Sequence, residues 1–314
     1  MISSLRMVKP MPITNKHDLP ALWYEAVKKF DAKYSKGGAH YSATEILNSP
    51  RQVLLKQRHR GEVSEDCIDA TWRIFGKLVH QILEGVDIAG SISEERFKIT
   101  VLDRVLSGQI DQYADRIITD VKVTNTWAVM LSDDRVKEWG EQLNIYADMM
   151  RQAGYEVDGL RVLAIYRNWS EIEKIRDAKG KYPKTQVEVI DLELWAPEFA
   201  KEWIQDKIMV LVANENVDSL ELPSCRKAEM WEKDNVFAVK KKGRKSALRC
   251  LASHDKAANY ISIHKDAKDL FIEFRPGERI RCERFCNVNK FCNQYAHYQH
   301  EKASNEKARE ANNS

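Results

Sequence analysis

Apolar positions recur along this chain with two different periods, and the points where the period changes divide it into elements. Over residues 65–84, Ile68, Trp72, Phe75, Val79 and Ile82 stand three or four apart, which predicts one helix with a single buried stripe. Upstream, Ser42-Ala43-Thr44-Glu45 has the form of a capping box and predicts a helix over residues 43–56. The period then drops to two. Residues 96–102, 105–113 and 117–123 read as three strands, the last two joined by the polar turn Ala114-Asp115-Arg116. Helical spacing returns over 136–153 and closes at Gly154. Two further strands, 160–166 and 186–195, precede a helix over 198–212. The order helix, three strands, helix, two strands, helix predicts an α/β fold with a mixed central sheet flanked by helices.

Beyond Glu221 the texture changes. Residues 235–242 and 246–251, around the turn Gly243-Arg244, read as a basic hairpin. A short helix over 255–263 and a strand over 271–274 follow, and the strand runs through Arg275-Pro276-Gly277 into clustered cysteines. The expected division is an amino-terminal segment (1–38), a core (39–221), a small basic cysteine-rich module (222–300) and a polar, frayed tail (301–314).

Composition supports a folded chain: 314 residues and 36.4 kDa, 43% hydrophobic, with 8 tryptophans. No run approaches the roughly 18 apolar residues of a spanning helix. The amino end also lacks the apolar centre of a signal peptide, so a soluble, cytoplasmic protein without a membrane partner is expected. The formal charge of +3 hides a segregation. Residues 222–300 hold 17 Lys/Arg against 9 Asp/Glu, a net +8, and residues 1–221 hold 30 against 35, a net −5. Six cysteines are too few for a disulfide scaffold.

The stretch SGQIDQYADRIITDVKVT, residues 107–124, carries the most chemistry. Strand alternation puts Asp120 and Lys122 on one face with Val121 on the other, and Asp111 lies on the neighbouring strand of the predicted hairpin. Two carboxylates a strand spacing apart make a hard oxygen site for Mg2+ or Mn2+, and a lysine beside them can orient or activate a water. An exposed hairpin with a polar face has the same spacing. His80, four residues after Gly76 in the Trp72 helix, offers a nitrogen ligand or is an ordinary half-buried histidine. Glu94 and Glu95 open the first strand, and Gln142 and Tyr146 lie one turn apart on the next helix.

In order, these pieces spell GxxxH, an acidic residue, GxxD, DxK and QxxxY over about residues 40–150. That series resembles the PD-(D/E)XK nuclease superfamily. Specifically, it resembles the RecB-type branch, which includes CRISPR-associated adaptation nucleases and phage-encoded exonucleases. The resemblance implies a restriction-endonuclease-like core whose catalytic residues are Asp111, Asp120, Lys122 and Glu95. Glu95 is chosen over Glu94 although the sequence does not separate them. It further implies a metal site of His80, Asp111, Asp120 and Val121, with Gln142 and Tyr146 lining the DNA path.

Cys282, Cys286 and Cys292 gather three thiols within eleven residues, the density of a zinc or 4Fe-4S site. Iron-sulfur members of the RecB-type branch usually place a fourth cysteine ahead of the core; here Ser49 stands before Pro50 instead. Cys225, Cys250 and Cys67 remain, and Cys225, at the entrance to the basic module, is the expected fourth ligand. Lys240, Lys241, Lys242, Arg244 and Lys245 can neutralise phosphates, although such a run seen alone is a solvated face. The expected function is a metal-dependent DNA exonuclease of phage replication or recombination, acting on linear or single-stranded ends through a metal-activated water. A recombination or single-strand-binding protein is the possible partner. A non-catalytic DNA-binding adaptor and a CRISPR-adaptation nuclease remain alternatives, and oligomeric state stays open.

Overall fold

A computed structural model of the chain describes residues 12–31, 36–86, 88–130 and 133–313. Two compact units divide it, Met1–Asp218 and Ser219–Ser314. The first opens with β1 (Ile13–Thr14), α1 (Ala21–Asp31), β2 (Tyr41–Ser42), α2 (Ala43–Ile46), α3 (Pro50–Arg58), β3 (Glu65–Asp66) and α4 (Thr71–Glu84). Next come β4 (Ile92–Ser93), β5 (Arg96–Val101), β6 (Arg104–Gln109), β7 (Gln112–Ala114) and β8 (Ile117–Thr124). The unit closes with α5 (Trp127–Met130), α6 (Asp133–Gln152), β9 (Gly159–Tyr166), α7 (Glu171–Arg176), β10 (Val187–Leu192) and α8 (Pro197–Asn214).

Its larger sheet has the order β10-β9-β8-β7-β4, with β8 parallel to β9 and the other neighbours antiparallel. A smaller sheet, β2-β6-β5, lies beside it in sequence. With helices flanking both, the fold is mixed α/β. The core forms around α6, whose Leu143, Ile145, Ala147, Met149 and Met150 are buried and which contacts β5, β6, β8, β9 and α8. β9 supplies Leu160, Val162, Ala164 and Tyr166 by strict alternation, as a half-covered strand should. Glu215 ties the layers together. Its carboxylate accepts from Arg104 Nε at 3.0 Å and from the Tyr41 hydroxyl at 2.7 Å.

Several expectations change. The helix expected over 43–56 is two, because Ser49 caps α3, its hydroxyl accepting from Gln52 N at 3.4 Å, and Pro50 takes the first helical position. The helix expected from residue 65 starts at Thr71, since Glu65 and Asp66 pair in parallel with β1. The strand expected over 105–113 breaks at Ile110 and Asp111, where the chain leaves the smaller sheet for the larger. The stripe on α4 is not buried: Trp72 is 54% exposed and Ile82 71%. Periodicity fixes an apolar face but not a neighbour to cover it, and α4 turns other edges toward α1 and β8.

The second unit contains α9 (Lys227–Met230), β11 (Val236–Lys241), β12 (Arg249–Leu251), α10 (His254–Ser262), β13 (Leu270–Arg275), α11 (Ile280–Arg284) and α12 (Asn293–Asn313). β11 pairs antiparallel with β12 on one side and β13 on the other. Val239, Ala257 and Leu270 form its small core with Phe237, Tyr260 and Ile272 packed around them. The tail expected to fray instead continues α12 to Asn313, with no Pro or Gly to stop it. Of the amino-terminal segment, residues 1–11 and 32–35 lie outside the described residues, as does Ser314. Among the described residues, no helix is long and apolar enough to cross a membrane.

Gly108 on β6 is required by close packing. A Cβ there would lie 2.6 Å from Tyr146 Cε1 and 2.9 Å from Met149 Sδ, both on the buried face of α6. Gly108→Ala is therefore expected to lose about 1–3 kcal/mol of stability in urea unfolding, the usual cost of overpacking. In a Tyr146→Ala background the same substitution should cost less, because the ring it strikes is gone.

Candidate metal centre

β7 and β8 pair only as far as Gln112↔Thr119. One step further in this register, Asp111 and Asp120 stand opposite each other. At that point Asp111 caps the strand, its Oδ2 accepting the Val121 amide at 2.6 Å. Asp120, only 2% exposed, lies 2.7 Å from Lys122 Nζ through its Oδ2. The ammonium offsets the charge of the buried carboxylate at that oxygen.

α4 brings His80 to the same place. Its Nδ1 lies 3.4 Å from Asp111 Oδ2 and 3.8 Å from Glu94 Oε1. Donor atoms of His80, Glu94 and Asp111 all lie within 4.8 Å of one another, so this group could hold a metal ion. Their chemistry fits a hard divalent cation: two carboxylates and an imidazole, with the Asp120 carboxylate, paired with Lys122, on the adjacent strand.

The acidic residue at the centre is Glu94, not Glu95, which corrects the expectation. Glu94 adopts a left-handed conformation (φ 53°) between β4 and β5, and its amide donates to Asp111 O at 3.1 Å. That bend carries its carboxylate inward, where Gln109 Nε2 donates to it at 2.8 Å, and leaves Glu95 exposed. Nothing in the acidic pair itself announces a bend. Val121 contributes its amide to Asp111, and its side chain is buried.

Gln142 and Tyr146 lie in the interior. Lys122 Nζ donates to Gln142 Oε1 at 3.0 Å, and Gln142 Nε2 donates to the Tyr146 hydroxyl at 2.6 Å. Both side chains are buried, so these bonds fix the lysine, where an open DNA path had been expected. Electrostatics reflect the crowding. Burial pushes the Asp111 carboxyl up to about 7, with Asp120 pushing the same way and His80 opposing. The His80 imidazole holds its proton more firmly than a free one, through Glu94 first and then, against the cost of burial, through Asp111 and Asp120.

In the second unit, Cys282 is half-buried and responds to three further thiols. Burial pushes the Cys282 thiol up to about 12, and Cys286, Cys225 and Cys292 each add to the shift. Gln294 clamps Cys225 by accepting its amide at 2.8 Å and donating to its carbonyl at 3.0 Å. Cys250 is exposed on β12, and Cys67 is buried in the α1 and α4 contact of the first unit. Of the basic run, Lys240 pairs with Glu273 at 2.8 Å and Lys241 with Asp266 at 2.9 Å. Lys242, Arg244 and Lys245 are exposed on the loop.

No family model matches the sequence, and neither does any curated protein. Among solved structures, the crystal structure of SSO0001 aligns at a TM-score of 0.40 and 17% identity, covering 62% of this chain and 85% of that one. The crystal structure of a candidate exonuclease from Eubacterium rectale aligns at 0.29 and 13% identity, covering 48% of this chain and 53% of that one. Likenesses of this strength carry no function across.

Protonation of this cluster has a definite sign. Asp111 and His80 both have folded pKa values raised above their unfolded ones, so each stabilises the metal-free fold when protonated and loses that contribution as pH rises. For Asp111 the window runs from about 4 to about 7. Metal-free protein is expected to lose stability across it relative to Asp111→Asn, measured by urea unfolding at a series of pH values. Added Mg2+ or Mn2+ should raise the melting temperature of the wild type above pH 7 and leave Asp111→Asn unmoved.

Proposed function

We propose that this chain is a divalent-metal-dependent nuclease that hydrolyses DNA phosphodiesters from ends. The observation that carries the reading is the convergence of His80, Glu94 and Asp111 around one point, beside the Asp120–Lys122 ion pair. Mg2+ or Mn2+ held there would offset phosphate charge and lower the pKa of a water. Lys122, fixed between Asp120 and Gln142, is placed to orient the attacking water or steady the phosphate. The five-part motif series supports a RecB-type exonuclease of phage DNA replication or recombination working in the host cytoplasm. Lys242, Arg244 and Lys245 supply exposed charge for the DNA backbone.

Labelled linear DNA incubated with Mg2+ or Mn2+, with an EDTA control, tests this reading. Asp120→Asn and Lys122→Met are each expected to slow cleavage by at least about 100-fold. Glu94→Gln should cost about 10–100-fold, the usual loss on disturbing a metal site, and Glu95→Gln should be near wild type. Undiminished cleavage by Asp120→Asn protein would sink the proposal.

Four thiolates would make a soft donor set suited to zinc or a 4Fe-4S cluster, and we propose Cys225, Cys282, Cys286 and Cys292 as its ligands, a reading supported by their mutual influence on Cys282. Anaerobically purified protein should be brown with broad visible absorption if the group is a cluster, or colourless with one bound zinc. In either case Cys225→Ser should lose the metal and Cys250→Ser should keep it. The reverse pattern, or no metal at all, overturns the assignment.

A further inference from the structure

α4 is covered on two edges and open on a third. Ile74 packs with the α1 cluster around Val27, and Lys77 lies 4.7 Å over the Phe30 ring. The His80 edge faces the metal centre. The open side presents Trp72 and Phe75, 54% and 52% exposed, their rings 6.1 Å apart and edge to face. Over the Trp72 ring, at 3.8 Å, lies the guanidinium of Arg167. Arg167 directly follows β9, and its amide donates to Thr124 O at 2.9 Å, two residues past Lys122. The cluster therefore sits at the end of β8 just beyond the proposed site. Along α4, Trp72 precedes His80 by eight residues, about 12 Å of axial rise, which is a span of a few nucleotides.

We infer that Trp72, Phe75 and Arg167 form a stacking platform for unpaired bases, so that the strand reaching the metal centre is single. This deepens the nuclease reading and rests on it. Aromatic faces reward only bases whose own faces are free, and duplex bases are already stacked on each other. A guanidinium beside the rings stacks on a base as readily as on Trp72 and also meets the phosphate charge. Charge favours the same occupant. Arg167, exposed beside the rings, supplies the positive charge that a polyanion meets here, since Arg73 is paired with Glu65 at 2.6 Å and Lys77 lies on the α1 edge.

The test separates binding from cleavage. With full-length protein in EDTA, where no metal-dependent cleavage occurs, fluorescein-labelled oligothymidylate and a blunt hairpin duplex are titrated and followed by anisotropy. Trp72→Ala and Phe75→Ala should each weaken oligothymidylate binding about tenfold, the usual effect of removing a stacking side chain, and change duplex binding less than about twofold. Trp72→Phe should stay close to wild type. Arg167→Gln should weaken binding and flatten its salt dependence by about one charge. Because both aromatic side chains are half exposed, circular dichroism and melting temperature should be unchanged. The inference is overturned if Trp72→Ala binds the single strand as wild type does, or loses both substrates equally. It is also overturned if the wild type binds no single strand, or if Trp72→Ala only dissociates a dimer. Failure of the nuclease reading shows separately, as absent cleavage with Mg2+ or Mn2+, whatever the EDTA titration gives.

Discussion

The hydrogen bond from the Val121 amide to the Asp111 carboxylate is the joint on which the candidate site depends. It forms where β7 stops pairing with β8 and the chain passes between two sheets, so a backbone donor and a carboxylate meet without a ladder partner for either. Held there, Asp111 faces Asp120 across the diverging strands. A buried and a half-buried carboxylate so placed repel each other, and the charge is answered locally by His80 and Lys122.

Lys122 is tied to the centre of the core. Its amine donates to Gln142, Gln142 donates to Tyr146, and the Tyr146 ring lies where any side chain on residue 108 would be. The glycine of the GxxD series thus serves packing, and the QxxxY pair serves the lysine. A change in the core at Gly108 would travel to the amine through two hydrogen bonds. Buried polar chains of this kind fix one geometry because a broken link leaves an unsatisfied group behind.

In the second unit, ion pairs reduce the effective charge of the basic run. Lys240 and Lys241 lie on β11 and are neutralised by Glu273 on β13 and by Asp266. The uncommitted charge is on the loop at Lys242, Arg244 and Lys245. The cysteines are organised by backbone contacts: Gln294 holds Cys225, and Asn289 Nδ2 donates to Cys282 O at 3.0 Å.

The sequence by itself determined what depends on neighbours a few residues away. Period-two alternation put Asp120 and Lys122 on one face, the capping box at Ser42 formed, and the strand and helix periods marked a mixed α/β chain. Tertiary structure decided the rest. Which glutamate turns inward depended on a left-handed bend at Glu94 that joins two sheets. Whether the α4 stripe is covered depended on which edges α1 and β8 had already taken. Where Cys225 sits depended on a residue some seventy positions away, Gln294, whose side chain holds its backbone. Local periodicity reports the direction in which a side chain points; only the packed chain settles what stands in front of it.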